Sequence, residues 1–205
     1  MGAPLPRLVV ATENPGKLRE FGALLAGFAG ELIPLAAFGV TPAEETAASF
    51  SGNALAKARH AARATGLAAL ADDSGLEVDA LGGDPGVYSA RYAGPAGDAR
   101  RNTAKLLNAL ADVAEPRHAR FRCALALVRS ADDPAPLIAE GRWEGQIARA
   151  PRGVNGFGYD PVFIVAGGAL TAAELAPELK NQLSHRAQAL AELRRLLAAA
   201  QARDG

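Results

Sequence analysis

Little in this chain suits thiol, redox or transition-metal chemistry, since 205 residues hold one cysteine, one methionine and three histidines. A single cysteine rules out a disulfide framework and fits a reducing compartment. Cys123 lies in an alternating run, residues 121–128, and reads as a small buried hydrophobe. His60 and His118 have no partner at ligand spacing, so structural zinc is not expected. No Gly-x-Ser-x-Gly elbow is present, and the cysteine has no catalytic context, so covalent catalysis has little support.

Aromatics make up only 5%, which leaves a core of Ala, Leu and Val. Charge is balanced, with 22 Lys+Arg against 22 Asp+Glu. Neutrality argues against a dedicated nucleic-acid or membrane-surface binder, though a local basic cleft is compatible with it. No apolar run approaches the roughly 18 residues of a membrane span, and no charged leader with an apolar stretch opens the chain. A cytoplasmic soluble protein with one domain, residues 1–205, is expected.

Strand and helix signals interleave along the chain. Residues 7–12 read as a short buried strand. Asn14 then caps a helix with Pro15 at its first position, where proline sacrifices no needed N–H. Leu18, Phe21, Leu24, Leu25 and Phe28 form that helix's apolar stripe. An alanine-rich helix covers residues 49–65 and stops at Gly66. Residues 67–71 and 76–81 read as two strands, with Gly82-Gly83-Asp84-Pro85-Gly86 as a turn. A helix follows over residues 98–111, with Leu106, Leu107 and Leu110 inward. Strands 121–128 and 137–147 flank a hairpin turn at 132–136, and residues 184–201 form a closing helix. This pattern predicts an α/β fold with a mixed sheet.

Four polar clusters stand at element ends. Thr12-Glu13-Asn14-Pro15-Gly16-Lys17 is a strand-to-helix junction whose free N–H groups and lysine attract phosphate, or simply a capped helix start. It is not a P-loop, because Leu18 follows Lys17. Asn53 and Lys57 share a helix face downstream of Glu44-Glu45. They read either as solvated surface or as a set in which a glutamate ligates a divalent cation and Lys57 faces phosphate. Asp72-Asp73-Ser74-Gly75 follows an apolar run, where catalytic carboxylates belong in open α/β sheets, and two adjacent aspartates raise one pKa or recruit Mg²⁺. Gly156-Phe157-Gly158-Tyr159-Asp160, followed by Lys180 and Ser184-His185-Arg186, offers an aromatic face and hydrogen-bonding edges for a purine. It also reads as a glycine turn into a core strand and a capped helix.

Together the clusters suit phosphoanhydride cleavage of a nucleoside triphosphate. Lys17 and Lys57 would offset phosphate charge beside Mg²⁺, with Asp73 as the base. Five ordered motifs carry a resemblance. They are Thr12-x-Asn14-x-x-Lys17, Asp72-Asp73-Ser74-Gly75-Leu76, Gly82-Gly83-x-Pro85-Gly86-x-Tyr88-Ser89-Ala90-Arg91, Gly156 to Pro161, and Ser184-His185-Arg186. In that order they resemble the inosine/xanthosine triphosphate pyrophosphatases, the bacterial branch above all.

The resemblance implies Mg²⁺-dependent release of pyrophosphate from ITP, dITP, XTP and dXTP, cleansing the nucleotide pool. It implies an elongated mixed sheet flanked by helices, two lobes around a central nucleotide cleft, and a homodimer. By position, Thr12, Glu13, Asn14, Pro15, Gly16 and Lys17 match a triphosphate loop. Glu45 and Asp73 match metal-associated carboxylates, and Asp73 also matches the proton acceptor beside Asp72. Asn53 and Lys57 match polar positions facing the phosphates. Ser74, Phe157, Gly158, Tyr159, Asp160, Lys180, His185 and Arg186 match substrate contacts.

Inosine and xanthosine present an oxygen at C6, which donors such as Arg186 or a backbone N–H satisfy. Adenine's amino group finds no acceptor there, a mismatch that costs about 10⁴-fold or more. Guanine shares that oxygen and must be excluded at C2. Two alternatives stand beside this reading: a pyrophosphatase for other modified nucleotides, and a non-catalytic nucleotide sensor.

Overall fold

The computed structural model describes residues 5–12, 14–25, 27–95 and 97–204. Six strands form one mixed sheet in the order β2-β1-β3-β4-β5-β6. They are β1 (Arg7–Val10), β2 (Glu31–Pro34), β3 (Ala69–Val78), β4 (His118–Val128), β5 (Leu137–Ile147) and β6 (Phe163–Val165). The helices are α1 (Pro15–Leu24), α2 (Phe50–Thr65), α3 (Ala99–Ala109), α4 (Pro177–Leu183) and α5 (His185–Asp204). Strand β1 pairs in parallel with β2 and β3, whereas β6 runs antiparallel to β5. The α/β class with a mixed sheet is therefore as the sequence pattern predicts. Among the described residues no helix is long and apolar enough to cross a membrane.

The chain divides into two compact units. One comprises Met1–Asp73, Cys123–Gly141 and Ala187–Gly205; the other comprises Ser74–Arg122 and Arg142–Arg186. In the first, Leu8, Val10, Leu70, Leu125 and Leu127 from the strands meet Phe21, Leu25, Phe28, Leu190 and Leu193. Each such side chain stabilises the fold by about 1.5–3 kcal/mol on burial. The predicted α1 stripe thus points inward, and Cys123 sits in the same core, 1% exposed. In the second unit the scarce aromatics are concentrated. Phe121 packs on Phe163 with centroids 4.4 Å apart and on Trp143 at 6.5 Å, beside Leu76, Val78, Leu106, Leu110 and Tyr159.

Local chemistry sets most helix limits. Asn14, Ser49 and Asp98 cap α1, α2 and α3 with side-chain oxygens. Gly66, at φ +71°, stops α2 in a conformation that costs glycine little.

The structure corrects two expectations and adds two elements that the sequence pattern left unassigned. Residues 69–78 are one continuous strand, so Asp72-Asp73-Ser74-Gly75 is mid-strand and not a turn between two strands. Turn-type composition is overridden because β3 is hydrogen-bonded between β1 and β4, while Lys17 and Asn53 each meet one oxygen of the two carboxylates. β2, which the sequence reading left unassigned, forms by parallel pairing of Arg7–Val10 with Glu31–Pro34. Ser184 does not open the closing helix; it is the extended residue ending α4, and α5 begins at His185. Residues Gly86–Arg91 form a 3₁₀ turn.

Candidate functional site

In the first unit the polar residues gather past the end of β1. That strand's last pairing with β3 is Val10 with Leu70, so Asp72 and Asp73 run on beyond it. The rule placing ligands beyond carboxyl strand ends therefore applies to β1, not to β3 itself. At the same end, α1 begins. Asn14 Oδ1 accepts from Gly16 N at 2.9 Å and Lys17 N at 3.1 Å, and Asn14 N donates to Thr12 Oγ1 at 3.3 Å. The expectation of free N–H groups at this helix start is corrected: Pro15 has none, and the next two are capped by Asn14. Glu13 lies outside the described residues. The Lys17 ammonium reaches Asp72 Oδ2 at 2.8 Å, and the Asp72 side chain is fully buried.

Helix α2 supplies the rest of this cluster. Asn53 is 1% exposed, so the solvated alternative fails for it; the buried arc of α2 takes in Asn53 along with Ala54, Ala58 and Ala61. Its Nδ2 donates to Asp73 Oδ2 at 2.9 Å, and its Oδ1 accepts from Ala47 N at 2.8 Å. One turn on, Lys57 Nζ lies 2.8 Å from Glu45 Oε1 and 3.4 Å from Asp73 Oδ1. Glu44 is exposed, so of the adjacent glutamates it is the second that joins the cluster.

In the second unit the polar residues centre on the turn Gly156–Asp160. Asp160 Oδ2 accepts from Phe157 N at 2.7 Å and from Lys180 Nζ at 2.6 Å, in a pair about 5% exposed or less on either side. Gly156, at φ +74°, leaves room for that pair: a Cβ there would collide with Asp160 Oδ2 and stand 3.1 Å from Lys180 Nζ. Lys180 Nζ and Arg186 Cζ lie 5.1 and 5.2 Å from the Phe157 ring centroid, so two cations polarise one half-buried aromatic. Arg186 Nη2 donates to Ser74 Oγ at 2.7 Å. His185 is buried, stacked on Phe121 with centroids 4.9 Å apart and planes 16° apart. Gly158 turns the backbone at φ +62°. The Tyr159 side chain is buried in the unit's core, and its hydroxyl donates to Ser89 O at 2.9 Å.

A sequence profile of the Ham1 family matches residues 8–196. The chain belongs to the Ham1 family. It is 60% identical over 188 residues to the dITP/XTP pyrophosphatase of Methylococcus capsulatus, covering 91% of this chain and 94% of that protein. A solved HAM1 protein from Coxiella burnetii superposes with a TM-score of 0.86 at 49% identity, over 95% of this chain and all of that one. The Staphylococcus aureus Ham1 protein gives 0.83 at 38% identity, over 94% and 98%.

The electrostatics of this Ham1 chain separate two roles in the first cluster. Burial pushes the Asp73 carboxyl above its ordinary range and the Glu45 charge adds to that, while Lys57, the Asn53 hydrogen bond and Lys17 oppose it. Desolvation pulls Lys57 down, yet the charges of Asp72, Asp73 and Glu45 outweigh it and hold the ammonium above its usual value. An aspartate made more basic beside a firmly protonated lysine can take a proton next to stabilised negative charge. Glu45 and Asp73 converge on a single cationic nitrogen through oxygen donors alone. That set fits a hard divalent cation that keeps waters and is completed by substrate phosphates. Among the described residues no group of three or more His, Cys, Asp or Glu is arranged to hold a metal.

The sequence reading missed one polar network in the second unit. Asn102 is 4% exposed and sits on the apolar face of α3, four and eight residues before Leu106 and Leu110. A polar residue at a core-facing helical position is the signal that would have found it.

Proposed function

We propose that this chain is a nucleoside triphosphate pyrophosphatase that hydrolyses non-standard purine nucleotides. Its substrates are dITP, ITP, XTP and dXTP, and its products the nucleoside monophosphate and pyrophosphate. Asp73 carries the reading: a buried carboxylate with raised basicity, held by Asn53 and flanked by the Lys57 ammonium. The names of the relatives, dITP/XTP pyrophosphatase, support the substrate class.

Water adds across the α–β phosphoanhydride. Asp73 accepts the proton, the bridging P–O bond breaks, and pyrophosphate leaves with the electron pair. Lys17 and Lys57 offset the charge that develops on the phosphate oxygens, with Thr12 as a hydroxyl donor. Mg²⁺, held by Glu45 and Asp73, would supply Lewis-acid polarisation of the phosphates. Asp72 keeps Lys17 in place through their buried ion pair. In the second unit Phe157 offers the stacking face, while Lys180 and Arg186 supply donors for a C6 oxygen. The protein acts as a cytoplasmic homodimer of single-domain subunits, without nucleic acid.

Incubation with Mg²⁺ and ITP, XTP, GTP or ATP, reading pyrophosphate against orthophosphate, tests this. Pyrophosphate from ITP and XTP is expected, with ATP slower by about 10⁴-fold. Orthophosphate as the first product, or full activity of Asp73→Asn, would overturn it.

A further inference from the structure

The Gly82–Arg91 motif takes no part in the chemistry above, yet its last residues meet the loop that carries Phe157. Ser89 is the joint. Its Oγ accepts from Leu76 N at 2.8 Å on β3 and donates to Gly86 O at 2.6 Å, pinning the 3₁₀ turn to the strand. Its carbonyl oxygen accepts from Tyr159 OH at 2.9 Å and from Asn102 Nδ2 at 3.3 Å. Those two donors match the two lone pairs a carbonyl offers. The Asn102 side chain uses both its N–H donors and its oxygen in the same small region. It also donates to Ala90 O at 2.9 Å, and its Oδ1 accepts from Ala93 N at 2.7 Å.

We propose that Asn102 is a positioning residue for base recognition, acting through the Ser89 carbonyl and the Tyr159 hydroxyl on the turn that presents Phe157. Three backbone groups of the 89–93 segment have their direction set by one buried amide. Tyr159 reads that direction through its hydroxyl, and Tyr159 lies two residues from Phe157. Asp160, the next residue, holds Phe157 N and Lys180 Nζ. A shift of the Ser89 carbonyl therefore moves the stacking ring and one of its two cations together. A buried amide held by three hydrogen bonds is costly to rotate, so the ring is held before substrate arrives. Because the carboxylates of the first unit take no part in this network, the effect falls on binding of the base and not on the hydrolytic step.

The kinetic readout rests on the proposed function; a second readout does not. Asn102→Asp keeps the shape and the acceptor for Ala93 N, but sets an oxygen against Ser89 O and Ala90 O. Tyr159→Phe removes only the hydroxyl. Each is expected to raise KM for ITP about five- to tenfold with kcat within about twofold. The double variant is expected to be no worse than the more damaging single one, because both cut the same chain of contacts. If the two effects multiply, or if Tyr159→Phe leaves KM at its native value, the proposal is overturned.

Amide exchange is read on the same proteins. The Phe157 amide should exchange about tenfold faster in Asn102→Asp, while the Ala11 amide, bonded to Leu70 O at 2.8 Å in the other unit, keeps its rate. Unchanged protection at Phe157 refutes the positioning role. If the native protein releases no pyrophosphate from ITP, the functional reading falls. The exchange comparison then decides the Asn102 role alone.

Discussion

Replacing Asn53 by alanine isolates the basicity of Asp73 from the rest of the machinery. The amide donates to Asp73 Oδ2 at 2.9 Å, and the hydrogen bond is one of the causes that hold the carboxyl pKa down against burial. A hydrogen bond to a charged group contributes about 1.5–3 kcal/mol. Its loss leaves burial and the Glu45 charge less opposed, so the Asp73 carboxyl rises further above its ordinary range. The acid limb of kcat/KM for ITP is expected above the roughly 3.9 of an ordinary aspartate, and Asn53→Ala is expected to move it further up.

Stability gives an independent reading of the same quantity. A raised folded pKa contributes stability that is complete below the unfolded value of about 3.9 and lost as pH rises through the folded value. Raising it further in the variant makes Asn53→Ala more damaging at pH 8 than at pH 4, by about 1.5 kcal/mol or more in urea unfolding. The assay is pyrophosphate release from pH 4 to 9 beside unfolding at the two extremes. An acid limb that stays put would refute the assignment of this limb to Asp73. Equal destabilisation at both pH values would refute the role given to the amide.

Three further outcomes follow from the geometry. Gly156→Ala sets a methyl against the buried Asp160–Lys180 pair at a positive φ, so it should cost about 3–5 kcal/mol and raise KM for ITP, read by calorimetric melting and initial rates. Asp72→Asn removes the fully buried carboxylate that pairs with Lys17, and should lower kcat/KM at least about tenfold while the acid limb of the pH profile stays near its native position. At the β4–β5 hairpin, Arg129 and the Ala135 N–H hold the Asp133 carboxyl down to about 2. Its contribution is present above about 3.9 and lost as pH falls through about 2. With solvent screening, Asp133→Asn should cost about 1–2 kcal/mol at neutral pH and nothing near pH 2, as acid titration of unfolding would show.

Helix limits were legible because caps and stops act within one turn. Asn14 before Pro15 and Gly66 after the alanine-rich stretch are local statements, and each stands in the structure as read. Apolar periodicity likewise identified the inward faces of α1 and α3. The acidic quartet at 72–75 was misread for the opposite reason. Its composition favours a turn, and what keeps it extended, its place between β1 and β4 beside Lys17, Asn53 and Lys57, is distant in the chain. β2 escaped notice because Glu31–Pro34 is short and takes its strand character from pairing with β1.

From the order of five motifs the sequence determined the family and the class of chemistry, because reactive groups can be named wherever they stand. Tertiary structure decided what each group does with its lone pairs and protons. It capped the N–H groups of α1 with Asn14, committed Lys17 to Asp72, placed Lys57 between two carboxylates and turned Tyr159 inward to Ser89. A hydrogen bond or a pKa belongs to a pair of groups and their burial, and which groups become neighbours is settled only when the chain has folded.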